Sequence, residues 1–334
     1  MDDCPMGASH AIIFFIMDAR LIYNPTAGPR DVTADLERIC TFFAREGWSV
    51  ELNKTKGPGD AARMARDAAL ERRDAVIVAG GDGTVNEVVN GLVRSETALG
   101  VLPVGTGNLW AKQLHVPTLT LANPSRLRDA ARGLVGADVR AIDVGQVNGH
   151  AFLCWASAGL DAQVTTEMEP RDRTTKRLGA LPYLVAAVIV AQDFRGVPTS
   201  IVLDGEPVRD RTLLVVVNNI QQYGGLVEVA PRAKLDDGLL DVFVFKGLGF
   251  GYVVRHLFRV LSQRYLDDPE IVHRQVRRIE IRADEALPVQ VDGDPLGSTP
   301  VEIQVLPRAL RILAPPTMPP DLLTVSTPSV TAQN

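Results

Sequence analysis

Residues 75–92 read AVIVAGGDGTVNEVVNGL, which combines the patterns of a strand, a glycine-rich turn and a helix. Residues 75–79 are an unbroken apolar run, which is typical of a strand covered on both faces. Valine and leucine then recur at helical spacing from Val85 to Leu92. Thr84 and Glu87 have the spacing of a capping box, so the sequence predicts that the helix begins at Thr84.

The turn between this strand and helix is suited to binding a phosphate. Gly80, Gly81 and Gly83 lack the Cβ atoms that would keep a ligand from the backbone, and the N–H groups at a helix start attract anions. Asp82 is unexpected, because a carboxylate repels phosphate unless a divalent cation lies between them or the carboxyl group handles a proton. The turn therefore favours phosphoryl chemistry, with a plain turn and a solvated Asp82 as the alternative.

The composition is that of an ordinary globular chain long enough for two domains: 334 residues, 46% hydrophobic and 22% charged. The net charge of −5 argues against a nucleic-acid partner, which requires an extended basic surface. The three cysteines, at positions 4, 40 and 154, form no Cys-x-x-Cys pair, which fits a reducing cytoplasm without structural zinc.

Strands alternate with helices up to about residue 142, which predicts a parallel sheet covered by helices. The strands predicted there are 19–23, 48–52, 75–79 and 99–102. After residue 142 the pattern changes to the alternation of an antiparallel β domain interrupted by helices near 178–194 and 250–264. The strands predicted in that part are 212–218, 239–245, 276–283, 287–291 and 301–305. We therefore predict an α/β domain over 17–142 and a β-rich domain over 143–314.

The two ends of the chain carry no domain pattern. Residues 11–16 are apolar but too short for a signal peptide or for a spanning helix of about 20 residues. Met17 precedes the first convincing strand, so we expect residues 1–16 to be a disordered or mis-started extension. The segment 315–334 is rich in Pro, Thr and Ser, which predicts a disordered tail.

Two more turns, 24–28 (NPTAG) and 105–108 (GTGN), follow the first and fourth predicted strands. With them, the segment GGDGTVNEVVNGL closely resembles the nucleotide-binding signature of the diacylglycerol kinase catalytic family, which includes bacterial lipid kinases and sphingosine kinases. The resemblance extends from about Ala19 to Pro315. It implies an N-terminal sheet similar to that of NAD kinases and diacylglycerol kinases, and a C-terminal domain that resembles a β-sandwich and takes the lipid substrate.

The resemblance also implies which residues bind ATP. They are Asn24, Pro25, Thr26, Ala27, Gly28, Thr55, Gly80, Gly81, Asp82, Gly83, Thr84, Asn86, Glu87, Gly105 and Thr106. In isolation, each of these loops is also compatible with an ordinary turn. The chain contains no Gly-x4-Gly-Lys-Ser/Thr motif, which excludes an ordinary P-loop NTPase.

A magnesium site is implied at Lys234-Leu235-Asp236-Asp237-Gly238-Leu239, which is similar to the family's Asp-Gly turn. The expected ligands are oxygens: the Asp237 carboxylate and the backbone carbonyls of Lys234 and Leu239. Asp236 competes with Asp237, and a β-turn without metal is the alternative. The family pattern further suggests that Asp82 and Asp143 belong to the network around this metal.

The segment Val291-Asp292-Gly293-Asp294-Pro295 matches the place where the family has Asp-Gly-Glu, whose carboxylate takes the proton of the lipid hydroxyl. Here that residue is Asp294, one methylene shorter than glutamate. A plain hairpin turn is the alternative. Asp292 is expected to anchor a substrate hydroxyl or to serve only as a turn residue.

These features together predict an ATP-dependent lipid kinase, with Asp294 and Asp82 as catalytic residues and ATP and Mg²⁺ as cofactors. It would transfer the γ-phosphate to a lipid hydroxyl, such as that of diacylglycerol, giving phosphatidic acid. We expect a cytoplasmic protein that associates peripherally with the inner face of the membrane, and the sequence leaves a homodimer open. A basic cluster that could meet lipid headgroups comprises Arg171, Arg173, Lys176 and Arg177.

Three alternatives stay open at this point. The first is a kinase of a soluble metabolite, similar to NAD kinase. The second is a lipid-binding regulatory protein that has lost catalysis. The third, a dinucleotide-binding oxidoreductase, is weakened because the glycine turn lacks Gly-x-Gly-x-x-Gly spacing.

Overall fold

The structure is a computed structural model that describes residues 17–28, 30–119, 123, 125–168, 186, 189–225 and 227–324. The expectations for residues 1–16 and 325–334 lie outside the described residues. The same holds for the basic cluster at 171–177 and for most of the helix predicted near 178–194. Among the described residues, no helix is both long enough and apolar enough to cross a bilayer.

The N-terminal part contains the predicted parallel sheet, in the order β2-β1-β3-β4. Its strands are β1 (Met17–Tyr23), β2 (Trp48–Lys54), β3 (Ala75–Gly80) and β4 (Ala98–Pro103). Its helices are α1 (Thr33–Arg45), α2 (Asp60–Leu70), α3 (Asp82–Leu92), α4 (Leu109–Gln113) and α5 (Arg126–Val135). Every residue of β3 and β4 is buried, as the continuous apolar run of β3 predicts for a covered parallel strand.

The C-terminal part is dominated by antiparallel pairing. Its strands are β5 (Asp138–Val147), β6 (His150–Phe152), β7 (Trp155–Gly159), β8 (Val197–Leu203), β9 (Glu206–Asn218), β10 (Gln222–Tyr223), β11 (Val227–Glu228), β12 (Leu240–Lys246), β13 (Ile271–Val276), β14 (Arg278–Ala283), β15 (Pro288–Val291), β16 (Asp294–Ser298) and β17 (Val301–Ala314). This part also contains two α-helices, α6 (Leu160–Met168) and α7 (Phe250–Leu261), and a 3-10 helix at Pro320–Leu322. The described residues 189–193 are helical too. A core of alternating valine and isoleucine side chains lies beneath these strands.

Strand β17 joins the two parts. It pairs antiparallel with β5 along much of its length, and near its end Arg311 and Ile312 pair parallel with Ala98 and Leu99 of β4. The strand predicted at 301–305 therefore continues to Ala314, where its side chains enter the N-terminal core. The predicted domain boundary between residues 142 and 143 falls inside β5.

Two local predictions are wrong. The strand predicted over 276–283 is divided, because the N–H groups of Arg277 and Arg278 donate to the Asp204 carboxylate, at 3.0 and 2.8 Å. Residues 315–324 are packed instead of forming a disordered tail. Leu322 is fully buried, and its carbonyl accepts the N–H of Leu235 at 2.8 Å. The burial of Leu322, with hydrogen bonds of Thr317 to Leu114 and of Thr324 to Asp236, holds this segment although its composition is that of a tail.

Candidate active site

Three glycine-containing loops meet at the carboxyl edge of the parallel sheet, where ligands of such sheets bind. The N–H of Asn24 donates to the Ala79 carbonyl at 3.1 Å, and the N–H of Gly105 donates to the Gly80 carbonyl at 3.2 Å. The Asn24 side chain also donates to Thr84 Oγ1 at 3.2 Å. The structure thus brings together the loops at 24–28, 80–84 and 105–108 that the sequence singled out.

Glycine is required at two contacts between these loops. Gly28 has φ +77°, and a Cβ there would overlap the carbonyl oxygen of Val104. A Cβ on Gly105 would press against the Cα of Gly81. The loops therefore pack backbone against backbone, which leaves the N–H groups of the turn accessible to an anion.

The remaining residues predicted to bind nucleotide lie around this edge. Thr26 donates through both N–H and hydroxyl to Asn24 Oδ1, at 2.9 and 2.8 Å, which closes the 24–28 turn. Thr26 and Thr106 are exposed at the tips of their loops. Thr55 is buried beside β1, where its N–H donates to the Tyr23 carbonyl at 2.9 Å.

Asp82 is held against the third loop and does not point freely into solvent. Its Oδ1 accepts the N–H of Leu109 at 2.6 Å, and Gly107 leaves the space that its Oδ2 occupies. Burial raises the pKa of Asp82, the Leu109 N–H opposes this shift, and the neighbouring Asp292 carboxylate adds to it. A cation facing Asp82 would favour its ionised form.

The predicted capping box is wrong. Helix α3 begins at Asp82 with Gly81 as its N-cap, so Thr84 lies inside the helix. The Glu87 carboxylate instead accepts the N–H of Ala61 at 3.1 Å, in the first turn of α2. Glu87 therefore satisfies an open N–H group of the neighbouring helix, a partner that spacing along one helix does not reveal.

Asp292 is a buried junction between the two parts of the protein. Its Oδ2 accepts the side-chain amide of Asn86 at 3.0 Å and the N–H of Leu153 at 2.8 Å. Its Oδ1 accepts the N–H groups of Cys154 and Trp155, at 2.8 and 3.0 Å. Only 7% of Asp292 is exposed, and burial raises its pKa. Of the two roles expected for this residue, the structure favours a turn residue that fastens α3 to the β6–β7 turn.

Asn86 uses its side chain in that junction. Besides Asp292, its Nδ2 donates to the carbonyl of Ala151 at 3.1 Å, and its Oδ1 lies 2.9 Å from His150 Nε2. Asn86 was expected to contact nucleotide. The structure instead gives its buried amide partners from the C-terminal part.

Asp294 is the exposed first residue of β16, and its carboxylate lies over the glycine turn. A Cβ built on Gly83 would be 3.3 Å from Asp294 Oδ2. The predicted base and the predicted phosphate site are therefore adjacent, although 211 positions separate these two residues in the sequence.

A network missed by sequence reasoning supports the turn that carries Asp294. The Gln290 side-chain oxygen accepts the N–H of Gly293 at 2.8 Å. Its Nε2 donates to Ser157 Oγ and Asp161 Oδ2, both at 2.8 Å. Gln290 is buried in β15, and a single glutamine in a strand pattern gives no signal of this role.

Carboxylates crowd the predicted magnesium turn. Asp143 accepts the N–H of Gly238 at 2.6 Å, which brings its carboxylate next to Asp237. Burial, with Asp143, Asp241 and Asp236 nearby, raises the pKa of Asp237 to about 6. The described residues contain no group of three or more His, Cys, Asp or Glu side chains arranged to hold a metal. The predicted donor set of one carboxylate and two backbone carbonyls does not need such a group.

Two further contacts bear on this turn. Asp236 Oδ1 accepts the N–H of Thr324 at 2.6 Å, and Asp237 Oδ1 accepts the N–H of Leu239 at 3.0 Å, so each carboxylate has one backbone partner. Asp143 binds the N–H of Arg308 at 2.7 Å as well as the turn. Asp82, in contrast, contacts the loop at 107–109 and lies near Asp292, so the two residues predicted to surround one metal have different neighbours.

Comparisons with known proteins match this architecture. A profile described as the diacylglycerol kinase catalytic domain matches residues 18–147, and one described as the YegS C-terminal NAD kinase beta sandwich-like domain matches residues 154–314. The diacylglycerol kinase of Bacillus subtilis (strain 168) is 31% identical over 299 residues, which cover 89% of this chain and 96% of that protein. This chain belongs to the diacylglycerol kinase catalytic family.

Other relatives support membership in the same family. The diacylglycerol kinase of Staphylococcus carnosus (strain TM300) is 26% identical over 300 residues, covering 89% of this chain and 95% of that protein. A crystal structure of a diacylglycerol kinase from Bacillus anthracis str. Sterne has a TM-score of 0.68 at 26% identity, covering 91% of this chain and 99% of that one. The expected family and fold class are confirmed, and membership in a kinase family implies ATP as the phosphate donor.

Proposed function

We propose that this diacylglycerol kinase family member transfers the γ-phosphate of ATP to the hydroxyl of a lipid such as diacylglycerol, giving phosphatidic acid and ADP. The observation that carries the proposal is the position of the Asp294 carboxylate beside Gly83. A base from the β-rich part and a phosphate-binding turn from the α/β part meet at one point. The names of the relatives support diacylglycerol as the acceptor.

The chain's own groups perform two tasks in this reaction: they bind the nucleotide phosphates and accept the proton of the lipid hydroxyl. The N–H groups of the turn at 80–84, with the loops at 24–28 and 105–107, bind and orient the nucleotide phosphates. Asp294 accepts the proton of the lipid hydroxyl as that oxygen attacks the γ-phosphorus, and the bond to the β-phosphate oxygen breaks. Its exposure lets the acceptor approach from solvent or from a membrane surface.

Magnesium fits two places by the chemistry of the oxygens there. A magnesium ion bound with the nucleotide would offset the charge of its phosphates next to Asp82. Burial is the main cause of the raised Asp237 pKa, and a second ion at this turn would offset the repulsion from Asp143 and Asp241 that adds to it. Asp237 and the carbonyls of Lys234 and Leu239 would hold this second ion, and its contribution would be structural.

The test is transfer of radiolabelled phosphate from ATP to a panel of acceptors: diacylglycerol, a sphingoid base, phosphatidylglycerol and NAD. We expect labelled lipid. Asp294→Asn should reduce the rate by about 10²–10⁴-fold without loss of folding, because an exposed general base is removed. Asp294→Glu should keep activity. Full activity in Asp294→Asn would remove this residue from the role of base, and labelling of NAD alone would replace the lipid acceptor.

A further inference from the structure

Helix α6 packs against β7 and β15, and β15 leads into the turn that carries the proposed base. The neighbours of Ser157 in β7 and of Gln290 in β15 point into the C-terminal core, so Ser157 and Gln290 lie on the other face of the sheet, towards α6. The two residues are direct partners across the strands, and each is 1% exposed. Two polar side chains are therefore buried side by side beneath this helix.

Asp161, in the first turn of α6, is the common partner of these two side chains. Its Oδ2 accepts the Ser157 hydroxyl at 2.7 Å and the Gln290 side-chain amide at 2.8 Å. The chain reaches this position through Gly159, which has φ +106° and where a Cβ would overlap the Leu213 carbonyl oxygen. The glycine turn between β7 and α6 thus brings a carboxylate back to the serine four positions earlier.

The Gln290 amide has only one orientation that satisfies both of its neighbours. An ionised carboxylate such as that of Asp161 can only accept a hydrogen bond, whereas a backbone N–H such as that of Gly293 can only donate one. The Gln290 NH₂ group therefore faces Asp161, and its oxygen accepts the Gly293 N–H at 2.8 Å. Asp161 thus determines which atom of Gln290 faces the turn.

The turn held by Gln290 sets the place of Asp294. Gly293 directly precedes Asp294, and its φ of +92° bends the chain at that point. The Asp294 carboxylate lies over Gly83, so a displacement of the turn moves the proposed base relative to the phosphate site. A misplacement of about 1 Å can cost on the order of 10²-fold in rate. The hydrogen bond between Gln290 and Gly293 is therefore placed to affect the chemical step.

We propose that Asp161 is a positioning residue for the proposed base. It holds the Gln290 amide in the orientation that binds the Gly293 N–H, and so it fixes the position of Asp294. The inference rests on the proposed function, in which Asp294 takes the proton of the acceptor hydroxyl. Because Asp161 acts on the base and the nucleotide loops belong to the α/β part, its loss should lower kcat and leave the KM for ATP unchanged.

The experiment reverses the donor and the acceptor of this pair and measures phosphate transfer to the lipid acceptor. Gln290→Glu sets two carboxylates against each other, so kcat should fall by about tenfold or more. Asp161→Asn keeps an oxygen but loses its charge, and kcat should fall by about threefold. In Asp161→Asn/Gln290→Glu the introduced amide donates to the introduced carboxylate, whose other oxygen accepts the Gly293 N–H. There kcat should rise at least about fivefold above that of Gln290→Glu.

Glu167→Gln is the matched control on the same helix. Glu167 is exposed, and its carboxylate accepts the Gln163 side-chain amide at 2.8 Å. The substitution makes the same change from carboxylate to amide beside a glutamine, but water can replace the bond. We expect the kcat and KM of the wild type. Urea unfolding of every variant establishes that it is folded, and Asp161→Ala, with an expected tenfold loss of about the same origin, takes the place of a Gln290→Glu that does not fold.

Recovery of kcat in the double variant, with an unchanged KM for ATP, would support the positioning role. A double variant no faster than Gln290→Glu would overturn it. A lower urea midpoint in Gln290→Glu without a loss of kcat would also overturn it, because the pair would then serve stability alone.

Failure of the proposed function gives a different result. If the wild type labels NAD instead of lipid, the proposed acceptor is overturned, and the same comparison of variants with NAD decides the positioning role. If the folded wild type labels no acceptor, the proposed function is overturned together with the base that Asp161 is inferred to position.

Discussion

Asp292→Asn should lower the free energy of unfolding by about 3 kcal/mol, because the Asp292 carboxylate accepts four hydrogen bonds in a buried place. An asparagine can keep one oxygen. In either orientation of the amide, its NH₂ group faces two N–H donors, and each buried donor left unpaired costs roughly 1–3 kcal/mol. Removal of a buried charge whose pKa is raised returns part of that cost.

The Asp292→Asn substitution changes the hydrogen bonds of the side chain without changing the backbone conformation that residue 292 must adopt. Asp292 has φ +49°, a left-handed conformation that Asp and Asn both tolerate better than other residues with a Cβ. Asp204 provides the matched control, since it has φ +47° and accepts the N–H groups of Arg277 and Arg278 but is exposed. Water can replace those bonds, so Asp204→Asn should cost less than about 1 kcal/mol.

Urea unfolding followed by circular dichroism compares the three proteins, with the transition midpoint and slope recorded for each. The expected order of stability is wild type, then Asp204→Asn, then Asp292→Asn. Equal losses in the two variants, or a loss below about 1 kcal/mol in Asp292→Asn, would show that this junction does not hold the two parts together as argued.

Three further variants test other contacts. Glu87→Ala should lower the free energy of unfolding, measured in urea, by about 1 kcal/mol, because it removes a hydrogen bond at the N-terminus of α2. The KM for ATP should not change, and a large rise in KM would show that Glu87 contacts the nucleotide. Magnesium should raise the melting temperature of the wild type but not that of Asp237→Asn. Equal increases in melting temperature for the two proteins would show that the ion binds away from Asp237. Gln290→Leu should reduce kcat by about tenfold with little change in KM for ATP, because the turn that carries Asp294 loses its hydrogen bond from the Gly293 N–H to Gln290. An unchanged kcat would show that Gln290 does not position Asp294.

Much of the N-terminal part follows from local patterns. The strand patterns of β1 and β3 and the glycine loops after them are recognised within short windows, and parallel strands place such loops at one edge of the sheet. The family signature lies in the same windows. The role of Asp294 as base is predicted in the same way, from a short motif that resembles the family's, and it stays a prediction.

The errors arose where a partner lies far away in the sequence. Spacing assigned Glu87 to its own helix, but the N–H group it satisfies belongs to Ala61 of another. Composition predicts a disordered tail from Pro315, but the burial of Leu322 and hydrogen bonds of Thr317 and Thr324 to distant residues hold the first ten residues in place. Local sequence patterns indicate which secondary structure a residue favours. They do not indicate which polar group of a distant segment needs that residue as its hydrogen-bond partner.

Residues 75–92 alone were sufficient to predict a strand, a phosphate-binding turn and a helix, because hydrophobic period and glycine content act over a few residues. The hydrogen bond between Asp161 and Gln290, the junction at Asp292 and the contact between Asp294 and the Gly83 turn emerged only in the folded chain. Each depends on strand order and on buried hydrogen bonds between groups that are distant in sequence, and these are set when the whole sheet closes.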